Sequence, residues 1–283
     1  MTGLGAAALW ELWQRMNQLD QAVHLERAHA PERKRQSGGG RKKEAEVLCR
    51  LLVALLYLRQ HWTMQALAEA IGCAESTVWN YIHEMLPYLR AELPASLLEQ
   101  WQQECDSIER AELEAWLAEL PEGALLVDTW EQPIPRPQDD AEQEAHYSGK
   151  KKDHTRKNQL ICLPQGTDIV DVVIGEKGPR SDSKLLEETQ AELPETLEFI
   201  GDKAYVGSRN TTTPIKKPRG GELTQDQKDF NRNVSQKRVY VEHLIRVIKI
   251  FRIAKEEFRM RSRIYELVIG CVCGLVRLRV QYV

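Results

Sequence analysis

The chain has 283 residues, 42% of them hydrophobic, with a formal net charge of −3; this length suits about two domains at roughly 100–200 residues each. The apolar run at 51–58 falls far short of the roughly 20 residues needed to cross a bilayer, and the first residues lack the basic start of a secretory signal, so membrane-spanning and secreted classes are excluded and a cytoplasmic location is expected. The small net charge hides a partition: residues 84–147 carry 16 acidic side chains against 3 Lys/Arg, whereas 209–263 carry 15 Lys/Arg against 6 acidic ones, a pattern that suits a polyanion partner at some surfaces and not others.

In chain order, residues 8–30 read as one helix on Leu9, Leu12, Met16, Leu19 and Val23. Residues 31–43 are rich in Pro, Gly, Lys and Arg, the composition of a flexible loop. Three helical segments follow near 44–60, 63–71 and 75–86. Thr63 is the expected N-cap of the second, and Gly72 ends it in a left-handed turn. Ala68 is small where helices cross, and Val78 and Ile82 supply the inner face of the third helix. Glu75, Ser76, Thr77, Asn80 and Tyr81 are then expected outward, the arrangement of a helix-turn-helix whose second helix enters the major groove. An ordinary helical hairpin is the plain alternative. Residues 95–120 read as an acidic packing helix with Trp101, Leu113, Trp116 and Leu117 as its stripe, broken at 121–123.

The period changes from 124. Residues 124–128 form a short apolar run ending in Asp128, the pattern of a buried strand. Pro133, Pro135 and Pro137 make a stiff loop. Residues 157–163 and 168–174 read as a hairpin joined by Pro164 to Gly166. A helix over 182–193, capped by Asp182 or Ser181, leads to a strand at 197–200 followed by Asp202. Residues 207–232 read as a polar excursion, 235–255 as a long basic helix, and 264–280 as a final apolar helix. The six cysteines, at 49, 73, 105, 162, 271 and 273, show no zinc-site spacing; buried free thiols in a reducing compartment are expected.

Two carboxylates, Asp128 and Asp202, thus end buried strands, with Glu242 on the helix that follows. They are 74 residues (128 to 202) and 40 residues (202 to 242) apart. The order β–β–β–α–β–α with acids at these places is a ribonuclease-H-like layout. Its chemistry uses carboxylates to hold two divalent ions roughly 3.5–4 Å apart, one at the attacking and one at the leaving oxygen of a phosphodiester, and oxygen donors select Mg²⁺ or Mn²⁺. On the basic helix, Arg238, Glu242, Arg246 and Lys249 share a stripe, which also fits a salt-bridge ladder. Among other acids, Asp139 and Asp140 read as loop residues, Asp171 as an outward strand position, and Glu131 as the strongest decoy. Lys150, Lys151, Lys152, His154 and Lys157 form a basic run expected to meet DNA backbone, with a solvated loop and a packed His154 as the plain alternatives; Trp130 reads as core or wall, or as a platform for a flipped base.

The segments Leu126 to Glu131, Tyr147 to Gln159, Gly201 to Tyr205, and Arg238–x3–Glu242–x6–Lys249 resemble those of DDE transposases from bacterial insertion sequences, the group related to PIF/Harbinger elements. The resemblance runs from about residue 45 to the C-terminus. It departs at Ser235, where relatives have Tyr, which leaves that tyrosine's role unfilled or moved to Tyr240, and at Thr129 to Glu131, where relatives often have Gly-Thr-Glu. It implies an α/β fold, a ribonuclease-H-like mixed sheet with flanking helices, preceded by an all-α helix-turn-helix domain. The expected division is 1–43 helix and basic loop, 44–92 helix-turn-helix, 93–122 acidic linker, and 123–283 catalytic domain with the excursion at 207–232.

The same resemblance implies Asp128, Asp202 and Glu242 as catalytic ligands of two Mg²⁺ ions, with Mn²⁺ as a substitute, and Arg238 and Lys249, with Arg246, against DNA. It also implies terminal inverted repeats and target DNA as substrates, a homodimer or larger assembly, and a bacterial, nucleoid-associated setting without membrane. A domesticated nuclease and a non-catalytic helix-turn-helix regulator are the alternatives.

Overall fold

The computed structural model describes residues 2–29, 46–104, 112, 115–117 and 123–281, residues 27–29 by backbone alone. The basic segment at 31–43, Cys105 and much of the acidic stretch 95–120 lie outside the described residues.

The helical body consists of α1 (Ala6–His29), α2 (Val47–Gln60), α3 (Met64–Ile71) and α4 (Glu75–Glu92). The side chain of Thr63 accepts a hydrogen bond from Ala66 N at 3.1 Å and starts α3. Gly72 closes it at φ 72°, a left-handed conformation that glycine adopts without a Cβ penalty. Leu67, Ala68, Val78 and Ile82 are buried where α3 and α4 cross. Arg50, 2% exposed, ties three helices together through Asp20 of α1 at 3.1 Å and Glu84 of α4 at 3.0 Å. The helix α5 (Leu97–Glu104) follows.

Next come β1 (Leu125–Pro133), α6 (Asp140–His146), β2 (Tyr147–Ser148), β3 (Asp153–Cys162), β4 (Ile169–Lys177), α7 (Asp182–Glu192), β5 (Phe199–Ile200), β6 (Thr211–Thr212), α8 (Gln225–Lys249) and α9 (Tyr265–Gln281). The sheet is mixed. β1 lies between β3, antiparallel to it, and β5, parallel to it; β4 pairs antiparallel with β3, β6 pairs parallel with β5, and β2 pairs with the start of β3. The α/β architecture preceded by a helical body is therefore as the sequence implies.

One apolar core runs from α1 through α4 and α9 into the sheet. Close approach makes this possible: a Cβ on Gly274 of α9 would lie 2.5 Å from the Leu93 carbonyl oxygen. Buried Arg277 adds a polar clamp, donating to Asp168, to the carbonyls of Pro94 and Ser96, and to Gln100. Among the described residues no helix is long and apolar enough to cross a membrane.

Several expectations need correction. The basic helix spans Gln225–Lys249 rather than 235–255, because Thr224 and Gln227 form a reciprocal capping box; the polar excursion accordingly ends at Thr224 rather than at 232. Asp139 is not in a plain loop but caps α6, accepting from Glu142 N at 3.0 Å. Ser181 occupies the N-cap of α7, while Asp182 in its first turn pairs with Lys157 at 2.6 Å. Asp171 is half-buried rather than free in water, and burial raises its pKa. Of the thiols, Cys162, Cys271 and Cys273 are buried, whereas Cys49 is exposed and Cys73 half-buried.

Candidate active site and nucleic-acid interface

The parallel pairing of β1 with β5 aligns Leu126 with Ile200. Two residues further along, Asp202 follows the end of β5, whereas Asp128 does not end its strand as the sequence implies: β1 runs on to Pro133, and Asp128 sits within it opposite Leu160 of β3. Asp128 is anchored by its Oδ1, which accepts from Thr129 N at 2.8 Å. Asp202 caps the single 3-10 turn Lys203–Tyr205, its Oδ1 accepting from Ala204 N at 2.7 Å. Helix α8 packs on β1 and β5, and its Glu242 faces the Arg238 guanidinium that also reaches Asp128.

Electrostatics ties the three acids together. Burial pushes the Asp128 carboxyl up to about 6; the Arg238 guanidinium and the Thr129 N–H oppose this, and the charges of Asp202 and Glu242 add to it. Arg238 bridges two of the acids, with Nη2 3.3 Å from Asp128 Oδ2 and Nη1 3.4 Å from Glu242 Oε1. The first rung of the salt ladder therefore exists, and it reaches across to β1. Among the described residues, no three Asp, Glu, His or Cys side chains stand close enough together to form a ready metal cage.

Beside Glu242 opens a cleft of about 630 Å³ lined by Arg59, Glu242, Arg246, Lys249, Arg252, Lys255 and Glu256 among others. Lys249 is half-buried, and its pKa is lowered by burial and then by the charges of Lys151 and Lys255, with Asp128 acting the other way. This places Lys151, on the turn between β2 and β3, near the C-terminal end of α8. Lys150, Lys151 and Lys152 are all exposed on that turn. Arg246 and Lys249 face the cleft as their stripe implies. Arg59, Arg252 and Lys255 are cleft residues that the sequence reading missed; Arg252 and Lys255 follow directly on α8, whereas Arg59 is distant in sequence and the packing of α2 against residues 252–254 brings it in.

Lys157 does not belong to this surface. Its ammonium is buried, donating to the Arg180 carbonyl and paired with Asp182, because α7 folds over β3 at that point. His154 is half-buried, with its ring 5.6 Å from Tyr147. Trp130 is core, 2% exposed, and is thus closed to base stacking. Glu131 accepts from Thr155 Oγ1 at 2.8 Å. Tyr240 lies half-exposed against the turn at Gly166.

On α4, Val78, Ile82, Met85, Leu86 and Leu89 fill the core. Helical pitch then points Glu75, Ser76, Trp79 and Asn80 outward, and all four are exposed; Thr77 and Tyr81, expected outward, are half-buried. Trp79 is the residue missed here. It is 46% exposed and stacks on His83 at 3.9 Å between ring centroids, and the phase set by Val78 and Ile82 is the signal that would have found it.

Comparison with known proteins gives two family matches, "DDE superfamily endonuclease" over residues 127–277 and "Helix-turn-helix of DDE superfamily endonuclease" over 49–95. The chain is 28% identical over 250 residues to a probable transposase for insertion sequence element IS702 of Microchaete diplosiphon, covering 86% of this chain and 84% of that one. A solved structure, the Mos1 transposase paired-end complex with left transposon end, aligns at 10% identity over 93% of this chain and 85% of its own, with a TM-score of 0.24; at that level the likeness carries no argument.

Proposed function

The chain belongs to the DDE superfamily endonucleases, and from that premise we propose that it is the transposase of an insertion sequence, cutting DNA at terminal inverted repeats and joining the cut ends to target DNA. The observation that supports the reading is the carboxyl of Asp128, raised first by burial and further by the charges of Asp202 and Glu242. An all-oxygen donor set with excess negative charge fits Mg²⁺ or Mn²⁺. Asp128, Asp202 and Glu242 would hold the ions, which supply Lewis-acid stabilisation of the attacking and leaving oxygens.

The chain's own residues do the rest. Asp128, short of compensating charge, is the strand-borne anchor of the site, and its backbone hydrogen bond fixes the carboxylate plane. Lys249, Arg246 and Lys151 hold phosphates of the strand being cut. The exposed residues of α4 read base edges in the major groove. In the first step a water oxygen bonds to phosphorus and the 3′ oxygen leaves as a hydroxyl. In the second, that hydroxyl attacks a target phosphodiester, and the target's own 3′ oxygen leaves. Two element ends must be cut together, so the working unit is a dimer or a larger assembly.

The test is cleavage and joining of a supercoiled plasmid carrying the element's ends, with Mg²⁺ present. Wild type is expected to nick and join; Asp202→Asn is expected to lose both by at least about three orders of magnitude, as removing a carboxylate that would hold the ions stabilising the transition state does. Equal activity of the two proteins would overturn the reading.

A further inference from the structure

Arg238 occupies an unusual place for a residue of a DNA-facing helix. Its side chain is 13% exposed, its two terminal nitrogens reach two different carboxylates, and its Nε is buried without a hydrogen-bond partner. The arrangement follows from the sequence. Glu242 lies one helical turn after Arg238 on the same face, and the packing of α8 on β1 sets Asp128 opposite. A planar guanidinium suits this bridging, since its fork offers donors in fixed directions to two acceptors at once.

The consequence concerns the oxygens. Asp128 Oδ1 is held by the Thr129 N–H, and its Oδ2 faces Arg238. Glu242 Oε1 faces the same guanidinium, on a side chain 51% exposed and hence free to swing. A divalent ion on Asp128 and Glu242 needs the oxygens that Arg238 now faces. We propose that Arg238 is an internal counter-ion that competes with the divalent metal for Asp128 and Glu242, so that metal binds in full only when the guanidinium turns away. This rests on the metal-dependent reading above. It also accounts for the scattered geometry of the three acids: the guanidinium stands in the gap where they would converge. Charge gives the direction of the exchange, because a dication answers two carboxylates better than a monocation does. The displaced guanidinium carries its charge to the cleft side of α8, where a DNA phosphate is its natural acceptor. Metal and DNA then favour one another's binding by reciprocal linkage.

The experiment is Mn²⁺ binding to the full chain without DNA, followed by electron paramagnetic resonance of free Mn²⁺, for wild type, Arg238→Gln, Arg238→Lys and Asp202→Asn. Arg238→Gln is expected to bind Mn²⁺ about tenfold more tightly than wild type, with Arg238→Lys between them because one ammonium cannot bridge both acids equally. Asp202→Asn is expected to bind more weakly. Thermal melting with and without Mn²⁺ gives a second readout, the Mn²⁺-induced shift being larger for Arg238→Gln than for wild type. If Asp202→Asn weakens binding while both Arg238 variants bind as wild type or less, the counter-ion role is overturned and the metal site stands. If Asp202→Asn binds like wild type, the metal reading fails and takes this inference with it.

Discussion

Residues 46–92 of the helical body contain three arginines and no lysine, and each is engaged with the rest of the chain, although Arg59 also borders the cleft. Arg50 is buried between Asp20 and Glu84, Arg59 donates to the Ile250 carbonyl, and Arg90 pairs with Glu99. In the cleft by α8, Arg246, Lys249 and Lys255 line open space, and the structure gives them no ion pair with another described residue. The face that α4 shows to solvent, by contrast, is neutral to acidic: Glu75, Ser76, Trp79 and Asn80. The difference teaches a division of labour. Phosphate attraction supplies most of the affinity of a DNA-binding protein and none of its direct sequence reading. On the proposed reading, that attraction among the described residues lies beside the candidate active site, while α4 has side chains suited to discriminating bases and little charge to hold a backbone.

The sharpest way to break this comparison is to invert the cleft. Arg246→Glu together with Lys249→Glu is expected to lower affinity for DNA of any sequence by about 100-fold at moderate salt, and to reduce the slope of log affinity against log salt by about 2, one for each phosphate no longer neutralised. Fluorescence anisotropy across a salt series on specific and scrambled duplexes reads both quantities. A loss confined to the specific duplex would move the electrostatic grip to the helical body.

The next effect concerns how unevenly charge is balanced within the cleft itself. Asp128 titrates near 6 in the folded chain against an ordinary value of 3.8. Between these values the folded state binds more protons than the unfolded state, so stability falls as pH rises and stays lower above about pH 6. Asp128→Asn is therefore expected to be more stable than wild type by on the order of 2–3 kcal/mol at about pH 8, with the gap closing below about pH 4. Urea unfolding at several pH values checks it; a constant gap across that range would assign the effect to something other than this carboxylate.

The same contrast shows what the sequence made legible. Thr63, Gly72, Val78 and Ile82 announce the turn between α3 and α4 because cap chemistry and helical phase are local. Asp128 and Asp202 announce themselves by ending apolar runs. What escaped the reading is non-local or lies outside the apolar period. The start of α8 is set by a capping box in a polar stretch, where periodicity is silent. Lys157 looks like one more cation in a basic run, and only the fold of α7 over β3 buries it against Asp182. Trp79 is a large aromatic that composition would assign to the core, whereas helical phase puts it in water. Arg59 joins the cleft from 190 residues away (59 to 249), and the bridging of two acids by Arg238 requires β1 and α8 to be in place.

The smallest expected effect tests the other side of the comparison, the recognition helix. Asn80 is exposed one position after Trp79, on the second turn of α4, and an asparagine there can give and take a hydrogen bond with one adenine edge. Asn80→Ala removes that pair and no charge. Affinity for the cognate repeat is expected to fall by about tenfold, within the 1–3 kcal/mol usual for one good base contact. Affinity for scrambled DNA and the salt slope should be unchanged, because every cation that neutralises a phosphate stays in place. The outcome is informative only beside the cleft inversion: uniform loss from the cleft and sequence-confined loss from Asn80 are the two signatures of the division. If Asn80→Ala weakens binding to scrambled DNA as much as to the repeat, α4 is gripping rather than reading, and base discrimination must be sought on another surface of the chain.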